Sequence, residues 1–199
     1  MVIVPVAAPG ALDRAIAALT AGEAVVVPTD TVYGIAVDAF RSGATELIFA
    51  AKQRPHSVDL PVLVGDPDDV WRLVADVPPA AAALIETWWP GPLTLVLRRR
   101  PHLDLDLGDR SDTVGVRCPA SDVVRSLARA VGPLATTSAN RHGEPTPLTA
   151  LAVAGVLGDG VSIVLDGGVC DGVASTVVDV TSGEAVVLRH GAVDVNAGH

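Results

Sequence analysis

Two cationic side chains one residue apart, Lys52 and Arg54, are candidates for holding phosphate oxygens. A guanidinium offers a planar fork of donors and an ammonium offers a compact charge, so the pair could clamp an anion. The two residues also follow a segment with helical spacing and precede Pro55, and cations at a helix C-terminus are favoured by the helix dipole alone. Residue type and spacing leave both interpretations open.

Hydroxyl-bearing side chains follow short apolar runs at three other places. Thr29 and Thr31 would project to the same side of an extended segment, which suits the rim of a site for a small polar ligand. The run over 136–140 and the segment that begins at Ser175 add further hydrogen-bonding groups. Turns and helix caps use the same residue types, so these segments fit either ligand binding or local capping.

An arginine on an apolar strand needs a partner. Strand alternation places Thr113, Gly115 and Arg117 on one face of a predicted strand over 113–117. Because an unpaired buried guanidinium is costly, Arg117 must meet either a carboxylate of the protein or an anionic ligand.

The motifs of the common nucleotide and metal sites do not occur in the sequence. It contains no Gly-x-x-x-x-Gly-Lys-Ser/Thr loop and no Gly-x-Gly-x-x-Gly turn that opens a helix. The five histidines and two cysteines lack zinc-site spacing, and there is no Gly-x-Ser-x-Gly elbow. No metal ligands are predicted, and a bound nucleotide would need a less common arrangement.

Length and composition indicate one folded domain over residues 1–199. Hydrophobic residues make up 49% of the chain, which is enough for one sizeable core. The formal net charge is −9, whereas a broad nucleic-acid surface needs a basic excess, so weak or no direct nucleic-acid binding is expected. A few convergent arginines can still form a positive cleft on an acidic protein.

The N-terminus and the apolar runs predict a cytoplasmic protein. The first residues lack a basic region followed by a long apolar stretch, which argues against a signal peptide. Charged residues, Pro or Gly interrupt each apolar run before it reaches membrane-spanning length, so no membrane association is expected. Cys118 and Cys170 lie far apart in sequence and are expected to be reduced packing residues.

Helices and strands are interspersed along the sequence and must position the polar segments. Apolar periodicity predicts helices over 12–19, 44–52, 80–88, 121–130 and 148–157, and an acidic start predicts another from 66. Short apolar runs predict strands over 24–27, 61–64, 93–97, 113–117, 134–136, 162–165, 175–180 and 185–188. The later strands lie too close together for crossover helices, so we expect a mixed α/β sheet with some antiparallel pairs. On the 44–52 helix, the expected apolar face carries Leu47, Ile48 and Ala51.

Taken together, the polar segments resemble the YrdC family. Eight segments match in the family's order: Pro28-Thr-Asp-Thr-Val-Tyr-Gly34, Lys52-Gln-Arg54-Pro55, Leu60-Pro-Val-Leu-Val64, Trp89-Pro-Gly-Pro-Leu-Thr94, Val114-Gly-Val-Arg117, Thr137-Ser-Ala-Asn140, Ser175-Thr-Val-Val-Asp179 and Leu188-Arg-His-Gly191. One such match is weak, whereas eight in order across residues 28–191 are specific. The resemblance favours the functional interpretation of these segments.

This resemblance implies an α/β fold, namely a twisted, mixed parallel and antiparallel sheet flanked by helices, with a concave central cavity for ATP and threonine. The residues that match the family's ATP-binding set are Lys52, Arg54, Thr113, Ser138, Asn140 and Arg189. Lys52 and Arg54 also match the pair expected to be catalytic. The residues that match the threonine-binding set are Thr31, Arg117 and Ser175.

The resemblance also implies an enzyme. Family members are nucleotidyltransferases that condense L-threonine, bicarbonate and ATP into threonylcarbamoyl-AMP and pyrophosphate. Mg²⁺ is expected to arrive with ATP, since the sequence shows no dedicated carboxylate cage. The product would serve a downstream transferase complex that makes N6-threonylcarbamoyladenosine in tRNA.

The sequence departs from the family pattern at Gln53, Gly65 and Ala174, where the family often has Gly, His and Glu. Gly65 and Ala174 keep an inactive or uncharacterised paralogue open as an alternative. The chain ends soon after the Leu188 segment, so it resembles the short, single-domain form. Two further alternatives are an RNA-binding module, which the acidic charge disfavours, and an enzyme for another carbamoyl adenylate, as in hydrogenase maturation, which the length disfavours.

Overall fold

The structure, a computed structural model, describes residues 1–109 and 112–195 of the chain. Residues 110, 111 and 196–199 of the predicted single domain lie outside the described residues. Within the described ranges, ten strands form one sheet: β1 (Val2–Pro5), β2 (Val25–Val27), β3 (Gly34–Asp38), β4 (Val62–Leu63), β5 (Leu93–Arg98), β6 (Thr113–Arg117), β7 (Leu134–Ser138), β8 (Ile163–Asp166), β9 (Thr176–Asp179) and β10 (Val186–Arg189).

The sheet mixes parallel and antiparallel pairs, in the strand order β1-β8-β2-β3-β7-β4-β6-β5-β9-β10. The parallel pairs are β1 with β8, β2 with β8, β4 with β6 and β5 with β9. The antiparallel pairs are β2 with β3, β3 with β7, β4 with β7, β5 with β6 and β9 with β10. The prediction of a mixed α/β sheet is therefore confirmed.

Five α-helices flank the sheet in the described part of the chain: α1 (Ala11–Ala21), α2 (Ala44–Lys52), α3 (Pro79–Trp88), α4 (Asp122–Val131) and α5 (Ala150–Leu157). A 3₁₀ segment, Pro67–Arg72, stands where the acidic start at 66 predicts a helix. The hydroxyl of Ser121 caps α4 by accepting a hydrogen bond from the backbone N–H of Val124 at 3.4 Å. No helix of the described residues is long and apolar enough to cross a bilayer.

Helices cover both faces of the sheet, and β2 shows this residue by residue. Val26 packs with Ile35 in the core cluster that includes residues of α2 and α5. Val25 and Val27 pack in a second cluster with residues of α1 and α4. Because neighbouring side chains of a strand point to opposite faces, all three valines are fully buried only when both faces are covered.

Two strands and one helix face differ from the sequence prediction. The edge strand β1 was not predicted, nor was β3, whose start at Gly34 follows directly on the polar segment at 28–34. On α2, Ile48 is fully buried whereas Leu47 is 40% exposed. The buried face instead runs through Ala44, Ile48 and Lys52, which are four residues apart and therefore share one side of a helix. This register directs Lys52 into the protein.

Candidate active site

A cavity of about 380 Å³ is lined by strands from the middle and one side of the sheet and by the loops after β2 and α2. Gly115 and the other members of the predicted β6 face contribute to it. Seven of the nine predicted site residues are in its lining: Thr31, Arg54, Thr113, Arg117, Ser138, Ser175 and Arg189. Lys52 and Asn140 are the two that do not line it.

Lys52, the only lysine of the chain, is 1% exposed and lies behind the loop that follows β7. Its ammonium donates to the backbone carbonyl of Ser138, to the carbonyl of Asn140 at 2.6 Å and to the side-chain oxygen of Asn140 at 2.9 Å. The Ser138 hydroxyl donates to the same Asn140 oxygen at 2.5 Å. The structure thus joins three predicted ATP-site residues in one cluster.

This arrangement gives Lys52 a different place from the one that the sequence predicts. An ammonium has three N–H donors, and here each has an oxygen acceptor in the 138–140 loop, so Lys52 is not a movable charge facing the cavity. Burial, together with the charge of Arg54, lowers the pKa of Lys52 to about 8. Direct contact between Lys52 and a phosphate stays a prediction.

Arg54 lies in the loop after α2 and is half-buried in the cavity wall. Its Nε donates to the carbonyl of Val58 at 2.8 Å, and its Nη2 donates to the carbonyl of Asp59 at 3.0 Å. Its Nη1 has no hydrogen bond to a described residue. The backbone therefore orients the guanidinium and leaves one nitrogen with two donors for a ligand.

Arg117 is 5% exposed at the end of β6, and it meets a carboxylate of the protein. Its Nη2 pairs with Oδ1 of Asp30 at 2.5 Å, its Nη1 donates to the Thr31 hydroxyl at 3.0 Å, and its Nε donates to the Gly91 carbonyl at 2.9 Å. One N–H on each terminal nitrogen remains without a described partner. An internal ion pair and a ligand contact, which the sequence presents as alternatives, are therefore compatible.

The polar segment after β2 combines a turn with a cavity wall. The Thr29 hydroxyl donates to the carbonyl of Val32 at 2.6 Å and accepts from the backbone N–H groups of Thr31 and Val32. It also contacts the Thr31 hydroxyl at 2.9 Å. Thr29 therefore acts as the local cap that residue type suggests, and it helps to fix Thr31 beside Arg117.

Ser175 connects two arms of the cavity. Its hydroxyl lies 2.9 Å from the hydroxyl of Thr94 and accepts from Nη2 of Arg189 at 3.2 Å. Its carbonyl accepts from Nη2 and Nε of Arg189 at 2.8 and 3.2 Å. A predicted threonine contact and a predicted ATP contact are thus directly bonded. Sequence reasoning assigned no role to Thr94, although it closes one of the eight matching segments.

Asp30 is the second residue that sequence reasoning left without a role. Its Oδ2 is buried and has no hydrogen-bond partner among the described residues. A buried carboxylate oxygen without a donor is costly, so the pairing of Oδ1 with Arg117 must hold the side chain in place. Its position between two threonines in the 28–34 segment was the available signal.

Three arginines give the cavity its positive character. Burial lowers the pKa of each guanidinium, and the charge of Arg117 further lowers the pKa of Arg189, as that of Arg189 does for Arg54. Asp59 and Asp179 also line the cavity. In residues 1–109 and 112–195, no group of three or more His, Cys, Asp or Glu side chains could hold a metal ion. The arrangement suits an anionic ligand with several charged groups.

Gly65, where the family often has His, packs directly against α4. A Cβ atom at this position would lie 2.7 Å from Cγ of Arg129 and 3.1 Å from the carbonyl oxygen of Arg125. Arg125 and Arg129 both pair with Asp66, at 3.2 and 2.6 Å, and so anchor α4 over the glycine. The helix therefore occupies the space of any side chain at Gly65.

Known proteins are similar to this chain over most of its length. A family model described as Sua5_yciO_yrdC, Telomere recombination, matches residues 17–191. A Mycobacterium tuberculosis protein with a provisional name as threonylcarbamoyl-AMP synthase is 44% identical over 180 residues, which cover 90% of this chain and 83% of that protein. The human threonylcarbamoyl-AMP synthase is 37% identical over 190 residues, which cover 91% of this chain and 67% of that protein.

Solved structures are similar over almost the whole chain. The structure of Pyrococcus abyssi Sua5 complexed with L-threonine has a TM-score of 0.93 and 33% sequence identity, and the match covers 98% of this chain and 59% of that one. Escherichia coli YciO, at 24% identity and a TM-score of 0.86 with 98% and 95% coverage, shows the same fold. This chain therefore spans somewhat more than half of the archaeal protein.

Proposed function

The chain belongs to the Sua5/YciO/YrdC family, and from this premise we propose that it is a threonylcarbamoyl-AMP synthase, which joins L-threonine, bicarbonate and ATP. The observation that carries the proposal is the convergence of Arg54, Arg117 and Arg189 in one cavity, next to Ser138. Two of these arginines are fixed by backbone carbonyls and keep donors for a ligand. The substrates together carry a carboxylate, a carbonate and a triphosphate, which match this concentration of donors.

Arg117 is the proposed partner of the threonine carboxylate. Its two remaining N–H groups, one on each terminal nitrogen, can serve a carboxylate without breaking the bonds to Asp30 and Thr31. Thr31 and Ser175 offer hydroxyls on either side for the amino and hydroxyl groups of threonine. The complex of L-threonine with the archaeal relative supports an amino-acid site in this fold.

The ATP phosphates are assigned to the opposite part of the proposed site. Arg54 presents the two donors of Nη1, and Ser138 presents its hydroxyl at the end of β7. Asn140 and Lys52 act with them through the cluster that shapes the 138–140 loop. Thr113 and Arg189, which also line the cavity, are the other proposed ATP contacts.

The chemistry needs placement and charge more than a nucleophile of the protein. Threonine and bicarbonate give N-carboxy-threonine, and a carboxylate oxygen of this carbamate attacks the α-phosphorus of ATP while pyrophosphate leaves. Negative charge develops on the phosphate oxygens, where Arg54 offers preorganised donors. Holding the carbamate in line with the leaving pyrophosphate supplies the rest of the catalysis.

Mg²⁺ is proposed to enter with ATP. The described cavity residues include the carboxylates of Asp59 and Asp179 but no group of three ligands, which fits an ion held mainly by triphosphate oxygens and water. When bound, the ion neutralises charge on the departing pyrophosphate.

A turnover assay tests the proposed function. Purified protein is incubated with ATP, Mg²⁺, bicarbonate and L-threonine, and pyrophosphate and the mixed anhydride are followed by mass spectrometry. We expect pyrophosphate release to require both threonine and bicarbonate. Pyrophosphate release that does not depend on threonine or on bicarbonate would contradict the assignment. Salt-sensitive RNA binding without ATP turnover would also contradict it.

The product is proposed to pass to a tRNA threonylcarbamoyl transferase complex in the cytoplasm. A net charge of −9 makes tight, direct tRNA binding by this chain unfavourable, so the tRNA is a downstream acceptor. Cys118 and Cys170 are both free and buried, in keeping with a reducing compartment.

A further inference from the structure

Arg189, which is assigned above to the ATP contacts, has donors that its contacts within the protein do not use. Its Nε and Nη2 are bonded to the carbonyl and hydroxyl of Ser175, which fixes the plane of the guanidinium. Its Nη1 has no hydrogen bond to a described residue, so two N–H groups remain for a ligand. Arg54 shows the same pattern, with Nε and Nη2 bonded to carbonyls and Nη1 left over.

Arg189 is also the arginine within electrostatic reach of both others. It lines the same cavity as Arg54 and Arg117, and it is an exposed residue at the end of β10. The charge of Arg117 lowers the pKa of Arg189, and the charge of Arg189 lowers the pKa of Arg54. Ser175 joins it to the side of the cavity where threonine is proposed to bind. Arg189 is thus the third guanidinium of the described cavity lining, and Ser175 links it to the threonine side.

The reacting molecules carry three anionic groups at this step. In N-carboxy-threonine, the carboxylate made from bicarbonate lies on the amino nitrogen, between the α-carboxylate of the amino acid and the phosphate that it attacks. If Arg117 holds the α-carboxylate and Arg54 holds phosphate, Arg189 is the remaining arginine of the described cavity lining for the third anion. A guanidinium suits a planar carbonate or carbamate because two parallel N–H groups match two oxygens.

We propose that Arg189 binds bicarbonate and then the carbamate carboxylate derived from it, an inference that rests on the proposed function. The threonine nitrogen attacks the carbon of bicarbonate, a C–N bond forms, and water is lost as a C–O bond breaks. One oxygen of the resulting carboxylate then bonds to the α-phosphorus, and the bond from that phosphorus to the pyrophosphate oxygen breaks. Arg189 holds the anion during both steps and exchanges no proton.

The test separates the three substrates. Threonylcarbamoyl-AMP formation is measured in carbonate-free buffer with bicarbonate and then ATP varied, the other substrates being saturating. The proteins compared are the natural protein, Arg189→Gln, Arg189→Lys and a control, Arg14→Gln. Arg14 is an exposed arginine of α1, so its replacement matches the loss of charge without touching the cavity. Threonine affinity is measured separately by calorimetry without ATP and bicarbonate.

For Arg189→Gln we expect the half-saturating bicarbonate concentration to rise at least about tenfold, the effect of losing one charge-assisted hydrogen bond. Threonine affinity should fall by no more than about fivefold, the effect of the one hydrogen bond that the Ser175 hydroxyl loses while it keeps its bond to Thr94. Arg189→Lys keeps the charge but not the planar fork of donors, so its half-saturating bicarbonate concentration should lie between those of the natural protein and Arg189→Gln. If Arg189→Gln does not fold, Arg189→Lys provides the same measurement.

An unchanged half-saturating bicarbonate concentration would overturn the proposal, as would a parallel loss of threonine affinity, which would assign Arg189 to positioning Ser175. A rise in the half-saturating ATP concentration alone would make Arg189 only a phosphate contact. No product from the natural protein would instead contradict the synthase function itself, so the two failures are distinguishable.

Discussion

The ammonium of Lys52 donates to the backbone carbonyl of Asn140 at 2.6 Å and to its side-chain oxygen at 2.9 Å. The two residues are 88 positions apart in sequence, and this contact fastens the end of α2 to the loop after β7. Ser138, which lines the cavity, hydrogen-bonds to the same Asn140 oxygen. The shape of the proposed phosphate site therefore depends on a lysine that lies behind it.

Replacing Lys52 with Met should reduce both stability and activity. Three oxygens of Ser138 and Asn140 would lose the ammonium donor, and the Asn140 carbonyl would keep no other described partner, at about 1–3 kcal/mol for an unsatisfied buried group. Urea denaturation measures the free energy of unfolding, and the turnover assay should show at least about a hundredfold loss. Arg54→Gln should lose activity with little change in unfolding free energy, since the carbonyls it contacts lie near solvent. Equal stability of Lys52→Met and the natural protein would contradict the anchoring role.

The pKa of Lys52 predicts opposite pH effects on activity and stability. Its folded-state value of about 8 lies below the ordinary 10.5, so the folded protein loses this proton first. As pH rises from about 8 to 10.5, this group then adds to the free energy of unfolding, because the unfolded chain binds more protons. The neutral amine has only two donors for three oxygens, so kcat/KM for ATP should fall with an apparent pKa near 8. A kcat/KM for ATP that stays constant between pH 7 and 9.5 would contradict this prediction.

Periodicity predicted the architecture well because most elements have a strong local pattern. The bounds of α2 and β6 match the prediction, and Ser121 stands where a helix was expected to open. Strand β3 was missed because it begins inside a polar segment and is then buried on both faces, so it shows no alternation. Leu47 was placed on the wrong face because an apolar type alone does not fix which side of a helix meets the core.

The prediction of the candidate site rests on motif matching rather than on a physical pattern. Sequence matching named seven residues that the fold brings to one cavity, although they come from six separate segments. It could not tell that Lys52 points at backbone oxygens, since those acceptors exist only once β7 and its loop have folded. Asp30 and Thr94 were missed for the same reason: their partners, Arg117 and Ser175, lie more than 80 positions away.

Arg117→Met should destabilise the protein because it leaves Asp30 buried without its counter-ion. Breaking one side of a buried ion pair costs about 3–5 kcal/mol in unfolding free energy. The double variant Arg117→Met with Asp30→Asn should regain part of this stability, since no unpaired charge remains. Calorimetry should find no threonine binding to either variant. Recovery of threonine binding in the double variant would remove Arg117 from the threonine site.

Thr94→Val should weaken threonine binding while the fold stays intact. Thr94 is 5% exposed, and its hydroxyl lies 2.9 Å from that of Ser175, which then has only Arg189 to orient it. Losing one such hydrogen bond is worth about 1 kcal/mol, or about a fivefold rise in the threonine Kd. Thr87→Val is the matched control, because this hydroxyl contacts only the Ala83 carbonyl on exposed α3. Equal Kd values for the two variants would contradict the positioning role of Thr94.

Gly65→Ala should destabilise the protein, because α4 leaves no space for a Cβ atom. The nearest contacts would be the Arg129 side chain at 2.7 Å and the Arg125 carbonyl at 3.1 Å. Overpacking of this kind costs about 1–3 kcal/mol in unfolding free energy. The matched control is Gly155→Ala in α5, where a Cβ meets nothing within 4 Å and the higher helix propensity of Ala should stabilise by about 0.5–1 kcal/mol.

The packing of α4 against Gly65 also bears on the histidine that the family often has at this position. If α4 is held over Gly65 by Arg125 and Arg129 through Asp66, then Gly65→His should be less stable than Gly65→Ala and should bind threonine no more tightly than the natural protein. The proposed contact of Arg117 with threonine needs no contribution from position 65. Tighter threonine binding by Gly65→His, measured by calorimetry at matched folded fraction, would show that α4 yields to the histidine side chain.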